Sequence, residues 1–273
     1  MTYSIIGRDD ESIGVAVQSQ AFNSGAAVPW VRPGAGAVAT QSFTDRRYGY
    51  RGLELLAAGR GPQEALDELR SADAMPQFRQ VAFMSLDGGT AQWTGESCID
   101  ACGHTAGANW AAQGNMLVAD AWHAMGDAFE KTEGSLAQRL MAALDAAEAT
   151  GGDFRGRGGA GMVVAPLEGD PWQRVVDLRV EEGDSSLVEL RRLVERAEGY
   201  RAATTAEIAR ERGLPDAFVT QAALFDAASA GDIEEGKRLV EEMARIHPRW
   251  RGALRRIVDH PESPPALREI VGE

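Results

Sequence analysis

The chain has 273 residues, 44% apolar and 25% charged, which suits one large domain or a domain with an appendage. Its formal net charge of -13 argues against general binding to nucleic acid or to anionic membranes. No segment approaches the roughly 20 apolar residues of a membrane helix, and no secretory signal is predicted, so we expect a cytoplasmic protein with reduced cysteines.

The first predicted element is a β-hairpin. The runs TYSIIG and SIGVAVQS are rich in strand-forming residues, and the polar segment RDDE separates them. The next stretch is interrupted by Gly25, Pro29, Pro33 and Gly34, and GAVATQSF is predicted as the third strand. The segment GYRGLELLAAGRGPQEALDELRSAD then predicts two helices, the second starting at Pro62.

The middle of the chain repeats this order. FRQVAFMSLDGGTAQWTG predicts a second hairpin that turns at Asp87-Gly88-Gly89. CIDACGHTAGANWAAQGNML is rich in glycine and has no clear pattern. Two helices interrupted at Gly134 follow, and after them the pattern indicates loop, strand, turn and strand.

Strands joined by short turns favour antiparallel sheets, with the helices packed on their outer faces. We therefore expect an α+β protein with a four-layer αββα sandwich in residues 1–193. The remainder, 194–273, is predicted to be a helical extension. We expect it to have a structural role or to form a homodimer or another homo-oligomer.

Thr2 stands at the start of the first predicted strand, directly after Met1. A threonine hydroxyl is a weak nucleophile unless a base lies beside it. A free N-terminal threonine carries such a base, because its α-amine has an ordinary pKa of about 7.7–8.0. Removal of Met1 would therefore make Thr2 a candidate nucleophile. Many proteins have threonine at this position without any catalytic role, so the position alone does not establish one.

Several motifs together resemble a bacterial family, domain-of-unknown-function family 1028, which is grouped with the Ntn (N-terminal nucleophile) hydrolases. They occur in order between Met1 and Leu193: MTYSIIGRD, GVAVQS, VPWVRPGAGAVATQS, YGYRGLELLAAG, TGESC, QGNML and GGDFRGR. The resemblance implies an αββα sandwich with Thr2 as the nucleophile. It also implies that a group just after the second strand orients the nucleophile, and Ser19 matches that place. The alternative for Ser19 is a hydroxyl bonded to its own turn.

The sequence departs from the proteasome-like members of that superfamily, which use a lysine to tune the nucleophile. The two lysines here, Lys131 and Lys237, lie far from the first strands. Arg32 is a candidate for an electrostatic role, but a guanidinium does not accept a proton. This departure argues against a proteasome-like peptidase mechanism and favours a small-molecule amidase.

The segment QGNM contains candidate substrate-binding and catalytic groups. Asn115 has an amide that could stabilise an oxyanion, Gly114 would allow close approach of the backbone, and Gln113 adds a second amide. A polar turn explains the same residues equally well.

The segment GGDFRGR places Asp153 close to two arginines, Arg155 and Arg157. Two guanidinium groups can bind a carboxylate of a substrate through paired hydrogen bonds. The alternative is an Asp–Arg network that braces the loop. Because glycine-rich loops at strand ends often carry sites, we assign the three residues to substrate binding.

A metal site is not expected. Cys98, Cys102 and His104 are close in sequence, but their spacing is not typical of zinc sites and no fourth ligand is evident. We expect no cofactor either.

Two functions remain open at this point. The first is an amidohydrolase that acts on a small amide carrying a carboxylate. The second is a non-catalytic binding or scaffolding protein with the same fold.

Overall fold

A computed structural model of the protein describes residues 2–272. It contains two antiparallel sheets and several helices, so the expected α+β class is confirmed. None of the helices within this range has the length and apolar character needed to cross a membrane. By its internal contacts the chain divides into two compact units, Met1–Val194 and Glu195–Glu273.

Six strands form sheet A in the order β10-β9-β2-β1-β8-β7, and four form sheet B in the order β3-β4-β5-β6. All neighbouring strands are antiparallel. The strands are β1 (Thr2–Arg8), β2 (Ser12–Ser19), β3 (Pro29–Arg32), β4 (Gly36–Ser42), β5 (Arg79–Ser85), β6 (Thr90–Thr94), β7 (Gly103–Gly107), β8 (Trp110–Asn115), β9 (Gly159–Pro166) and β10 (Val176–Val180).

One helix lies between β2 and β3, one pair between β4 and β5, one pair between β8 and β9, and the remaining helices follow β10. One short 3₁₀ turn, Pro76–Phe78, precedes β5. The α-helices are α1 (Ser24–Ala27), α2 (Arg46–Ala57), α3 (Pro62–Ser71), α4 (Ala121–Lys131), α5 (Leu136–Ala149), α6 (Ser186–Ala202), α7 (Ala206–Glu211), α8 (Asp216–Ala230), α9 (Ile233–Ile246), α10 (Arg249–Ile257) and α11 (Leu267–Val271).

The start of α5 shows how local sequence sets a helix boundary. Ser135 Oγ accepts from the backbone N–H of Gln138, and Gln138 Oε1 accepts from the N–H of Ser135 in return. Such a capping box satisfies backbone donors that a helix start leaves unbonded. Gly134, just before it, has a φ of 110°, which lets the chain turn between α4 and α5 as predicted.

Three apolar clusters form the core of the first unit. Alternate residues of β1 enter different clusters, because successive strand residues face opposite sides. Tyr3 and Ile5 pack with residues of α4 and α5, whereas Ile6 packs with residues of both sheets. A third cluster joins sheet B to α2 and α3. Thr2 and Ser4 share the face of Ile6, so their side chains point toward sheet B.

The second unit has a core of its own. Its buried residues include Leu224 of α8, Leu239 and Met243 of α9, Leu254 of α10 and Leu267 of α11. In its described residues, 195–272, every regular element is a helix.

Two elements differ from the sequence-based expectation. The stretch between the first hairpin and GAVATQSF contains a short strand, β3, where proline and glycine predicted irregular structure. Pro29 begins this strand at the edge of sheet B, where its missing N–H interrupts no ladder. The unassigned segment CIDACGHTAGANWAAQGNML contains the whole hairpin of β7 and β8.

Candidate active site

Thr2, Ser19 and Asn115 lie side by side at one end of sheet A. Thr2 pairs in register with Ser19 of β2 on one side and with Asn115 of β8 on the other. The Thr2 hydroxyl donates to Ser19 Oγ at 3.0 Å. Thr2 is 8% exposed, Asn115 1% and Ser19 0%. The three residues assigned to catalysis are thus brought together, and Thr2 is the most accessible of them.

Side-chain amides from sheet B complete this end of the space between the sheets. Gln41 of β4 donates to the backbone oxygen of Thr2 at 3.2 Å and to Gln80 Oε1 at 2.7 Å. Asn115 Nδ2 donates to the same Gln80 Oε1 at 2.9 Å. All of these amides are buried, so each bond is formed away from competing water. We call the set of Thr2, Ser19, Gln41, Gln80 and Asn115 the polar end.

Gln113 and Ser4 extend the polar end by one layer. Ser4 Oγ donates to Gln41 Oε1 at 2.7 Å, and Gln113 Nε2 donates to Ala39 O at 3.1 Å and to Ser4 Oγ at 3.3 Å. Within residues 2–272 the other amide atom of Gln113, Oε1, has no hydrogen-bond partner. Gln113 is fully buried beneath the predicted nucleophile, so the geometry favours a supporting role over direct contact with a ligand.

Gly114 faces the opposite side of sheet A. A Cβ at this position would lie 2.5 Å from Leu117 Cδ1, so packing against Leu117 accounts for the glycine. Its carbonyl oxygen accepts from Gln80 Nε2 at 2.8 Å. Gly114 thus contributes through its backbone rather than by letting a substrate approach.

Asp153 links the loop before β9 to the polar end. Its carboxylate accepts from the backbone N–H of Gln20, the residue after Ser19, at 2.9 Å, and from that of Arg155 at 2.9 Å. The side chain of Arg155 also pairs with Asp153 and is one-third exposed, at 33%. Asp153 therefore braces the loop, and Arg155 lies at the same end of the sheet as Thr2.

Arg157 lies on the other face of the sheet. Its Nε donates to Glu148 Oε1 at 2.6 Å, and the other oxygen of Glu148 accepts from the Tyr3 hydroxyl at 2.9 Å. Burial, reinforced by the Glu148 carboxylate, raises the pKa of Tyr3 far above its ordinary value. Because Tyr3 and Thr2 point to opposite faces, the structure does not bring Arg157 to Thr2.

Arg32 is also distant from Thr2. It ends β3 and pairs with Gly36 at the start of β4, whereas the polar end takes Gln41 from near the end of that strand. Gln41 is five residue steps along β4 from Gly36, a distance of about 17 Å. Arg32 therefore belongs to a different region of the molecule, described below.

Two of the strands that carry the polar end finish in an unusual backbone conformation. Ser42, after Gln41, has a φ of 68°, and Met116, after Asn115, has a φ of 56°. Residues with a side chain rarely adopt positive φ, and such outliers cluster at functional sites. The conformation turns both strands sharply just beyond the buried amides.

Exposed apolar side chains occupy the loops around this end. Val118 follows β8 and Phe43 follows β4, while Phe22 lies beyond β2, and each is at least 58% exposed. Hydrogen bonds connect neighbouring loops, since Val118 N donates to Gly152 O and Met116 N donates to Ile99 O. The polar end is thus bordered by an apolar rim of Phe22, Phe43, Ile99, Val118 and Phe154.

The two cysteines and His104 bond to separate groups. Cys98 Sγ donates to Arg79 O, Cys102 Sγ donates to Cys98 O, and His104 Nδ1 bonds to Thr94 Oγ1 at 2.8 Å. In the part of the chain that the structure describes, no three His, Cys, Asp or Glu residues group as metal ligands would.

Sequence reasoning did not identify Gln80, which bonds to residues of both sheets. The signal for it was a glutamine directly before the apolar run VAFM, on the same face of the strand as Ala82 and Met84. A buried amide at that place needs partners, and the partners come from strands that are distant in sequence.

The chain belongs to the family of unknown function DUF1028, whose model matches residues 2–190. It is similar to the crystal structure of protein SPO2555 from Silicibacter pomeroyi, described with the same family. The two are 31% identical, the match covers 72% of this chain and 85% of that one, and the TM-score is 0.66. A comparison with curated proteins finds no match. The family resemblance inferred from the motifs is therefore confirmed.

Proposed function

We propose that the protein is an N-terminal-threonine amidohydrolase, built on the four-layer αββα sandwich of the Ntn hydrolases, that acts on a small amide. The observation that carries this proposal is the position of Thr2 between Ser19 and Asn115 at the polar end. The apolar clusters support the sandwich, since one joins the sheets and the others join each sheet to a helix pair.

The reaction begins when Thr2 Oγ1 attacks the amide carbonyl and its proton passes to the Thr2 α-amine. Met1, whose removal frees that amine, lies outside the residues that the structure describes. The C–N bond then breaks, and the leaving amine takes the proton from the α-ammonium group. Water hydrolyses the resulting ester, which releases the carboxylic acid and restores the threonine hydroxyl.

Three further groups would assist in this scheme. Ser19 Oγ, 3.0 Å from Thr2 Oγ1, fixes the direction of the nucleophile. Asn115 Nδ2 has two hydrogens, so it can keep its bond to Gln80 and donate to the oxyanion. Arg155 would bind a carboxylate of the substrate, and the apolar rim would contact its hydrocarbon part.

The test uses untagged protein and a threonine-reactive β-lactone, with intact mass measured before and after treatment. We expect loss of Met1 and one covalent adduct, which peptide mapping places on Thr2. Thr2→Ala should abolish the adduct, and Thr44→Ala, which changes an exposed threonine, should retain it. Retention of Met1 without an adduct would refute the proposal and favour a binding or scaffolding protein.

The oligomeric state belongs to the same proposal. We infer a homodimer or another homo-oligomer formed through the C-terminal helices, with sedimentation analysis as the measurement. A monomer at all concentrations would refute this part alone.

A further inference from the structure

A cavity of about 430 Å³ lies beside the two edge strands β3 and β10, away from the polar end. Both strands contribute to its lining, as does the segment just before β10. Its volume is within the range of small-molecule sites, which is about 300–1,000 Å³.

The charge of this cavity is opposite to that of the protein. Three arginines, Arg32, Arg174 and Arg179, line it together with a single carboxylate, Asp177. The whole chain has a formal net charge of -13. A cavity with a surplus of two positive charges in so acidic a chain would concentrate anions at this place.

Within the described part of the chain, two of the three guanidinium groups are not neutralised by a carboxylate. Among residues 2–272 no carboxylate forms an ion pair with Arg32 or Arg174. Arg174 donates instead to the backbone oxygens of Pro171 and Gln173, at 3.0 and 2.6 Å. Arg179, by contrast, is paired with Asp177 at 3.1 Å. Arg32 and Arg174 thus keep donors for an anionic ligand.

The remaining wall of the cavity is apolar and aromatic. Trp30 and Tyr50 contribute rings, and Leu53 and Val163 contribute aliphatic surface. Trp30 is held in place because its Nε1 donates to Ala27 O at 3.0 Å and its ring packs against Gly49. A ligand that fits has an anionic group at one end and an apolar or aromatic group at the other.

We propose that this cavity binds an organic phosphate monoester. A phosphate monoester carries close to two negative charges at neutral pH, which matches the surplus charge, and its oxygens suit guanidinium donors. Its organic group contacts the Trp30 and Tyr50 wall. This site is independent of the Thr2 chemistry, because Arg32 lies at the far end of sheet B from Gln41.

Calorimetric titration with phenyl phosphate, inorganic phosphate and phenol tests the proposal. We expect phenyl phosphate to bind one site with a Kd below about 1 mM, more tightly than inorganic phosphate, and phenol to bind least. Arg32→Gln and Arg174→Gln should each weaken binding of phenyl phosphate by about tenfold. Asp177→Asn should strengthen it, because that change removes the single carboxylate.

Arg46→Gln is the matched control, since Arg46 is an exposed arginine outside this cavity. Circular dichroism establishes that each variant is folded, and Arg32→Lys replaces Arg32→Gln if the latter fails to fold. Absence of saturable binding to the wild type would overturn the proposal. Equal affinity in Arg32→Gln and Arg46→Gln would also overturn it, because the anion would then bind elsewhere.

Discussion

Asn115 Nδ2 donates to Gln80 Oε1 at 2.9 Å, and this bond joins the last residue of β8 in sheet A to β5 in sheet B. Gln80 is fully buried, and its amide nitrogen donates across the same gap to the backbone oxygen of Gly114. The candidate oxyanion donor is therefore held by a residue of the opposite sheet. Its position depends on the distance between the two sheets as well as on its own strand.

Replacing Gln80 should lower the free energy of unfolding more than the loss of an ordinary glutamine side chain would. We expect Gln80→Ala to lower the free energy of unfolding by about 3 kcal/mol or more, because it leaves buried donors on Gln41 and Asn115 without their acceptor. Urea denaturation measures the change. Gln92→Ala, which removes a partly exposed amide bonded to Ala112 O, should cost about 1 kcal/mol. Equal losses of unfolding free energy in the two variants would show that the Gln80 hydrogen bonds contribute no more to stability than the bond of Gln92.

Ser19 should affect the reactivity of Thr2 if the proposed mechanism holds. Without the Ser19 hydroxyl, the Thr2 side chain loses the partner that fixes its rotamer. We expect Ser19→Ala to slow β-lactone acylation about tenfold while the protein stays folded. The rate is measured by mass spectrometry over time. Ser12→Ala, at the other end of β2, should react at the wild-type rate, and a loss shared by both variants would contradict a positioning role for Ser19.

The ion pair of Asp73 and Arg79 should make the stability of the protein depend on pH in the acidic range. Hydrogen bonding from the Arg79 guanidinium lowers the pKa of Asp73 from 3.8 to about 2, and its side chain is only 3% exposed. Because the folded-state pKa lies below the unfolded one, the stabilisation is complete above pH 4 or so and is lost as the pH falls toward 2. We expect it to amount to about 2 kcal/mol.

Asp73→Asn tests this expectation. The variant should be less stable than the wild type at neutral pH, and the difference should shrink as the pH approaches about 2. Denaturant unfolding between neutral and acidic pH measures both curves. Parallel curves for the two proteins would contradict an ionised Asp73 in the folded state.

Gly126 in α4 should not tolerate a side chain. A Cβ there would lie 2.0 Å from the Trp110 ring, which is buried and fixed by its bond to Glu130. We expect Gly126→Ala to cost at least about 1–3 kcal/mol, seen as a lower Tm. Gly252→Ala is the matched control, because nothing lies within 4 Å of the added atom in α10. Gly252→Ala should stabilise α10 by up to about 1 kcal/mol, because alanine has the higher helix propensity. A loss of stability in this variant would show that helix propensity does not determine the effect of the substitution.

Local sequence pattern predicts the elements whose partners are close in the chain. The first hairpin brings Thr2 to Ser19, and Gly134 separates α4 from α5. Pairing between distant segments is not contained in such patterns. Asn115 reaches Thr2 only because β8 pairs with β1, and no periodicity of either strand encodes that choice.

The arginines illustrate the same limit. Arg155 and Arg157 are two residues apart, yet one pairs with Asp153 near Thr2 and the other with Glu148 behind the sheet. Arg32 is close to the first hairpin in sequence, but β3 places it at the far end of sheet B. The sequence made these three arginines candidates for the site, whereas their location depends on sheet topology.

The polar end also has a consequence for the order of folding. Its five members come from five different strands, and Asn115 is synthesised long after Thr2. Contacts between residues so distant in sequence form late, because the chain loops between them must first be closed. We therefore expect the Thr2 hydroxyl to acquire its surroundings only when both sheets are assembled. Labelling of Thr2 would then report completed folding, because partly folded chains would not react with the label.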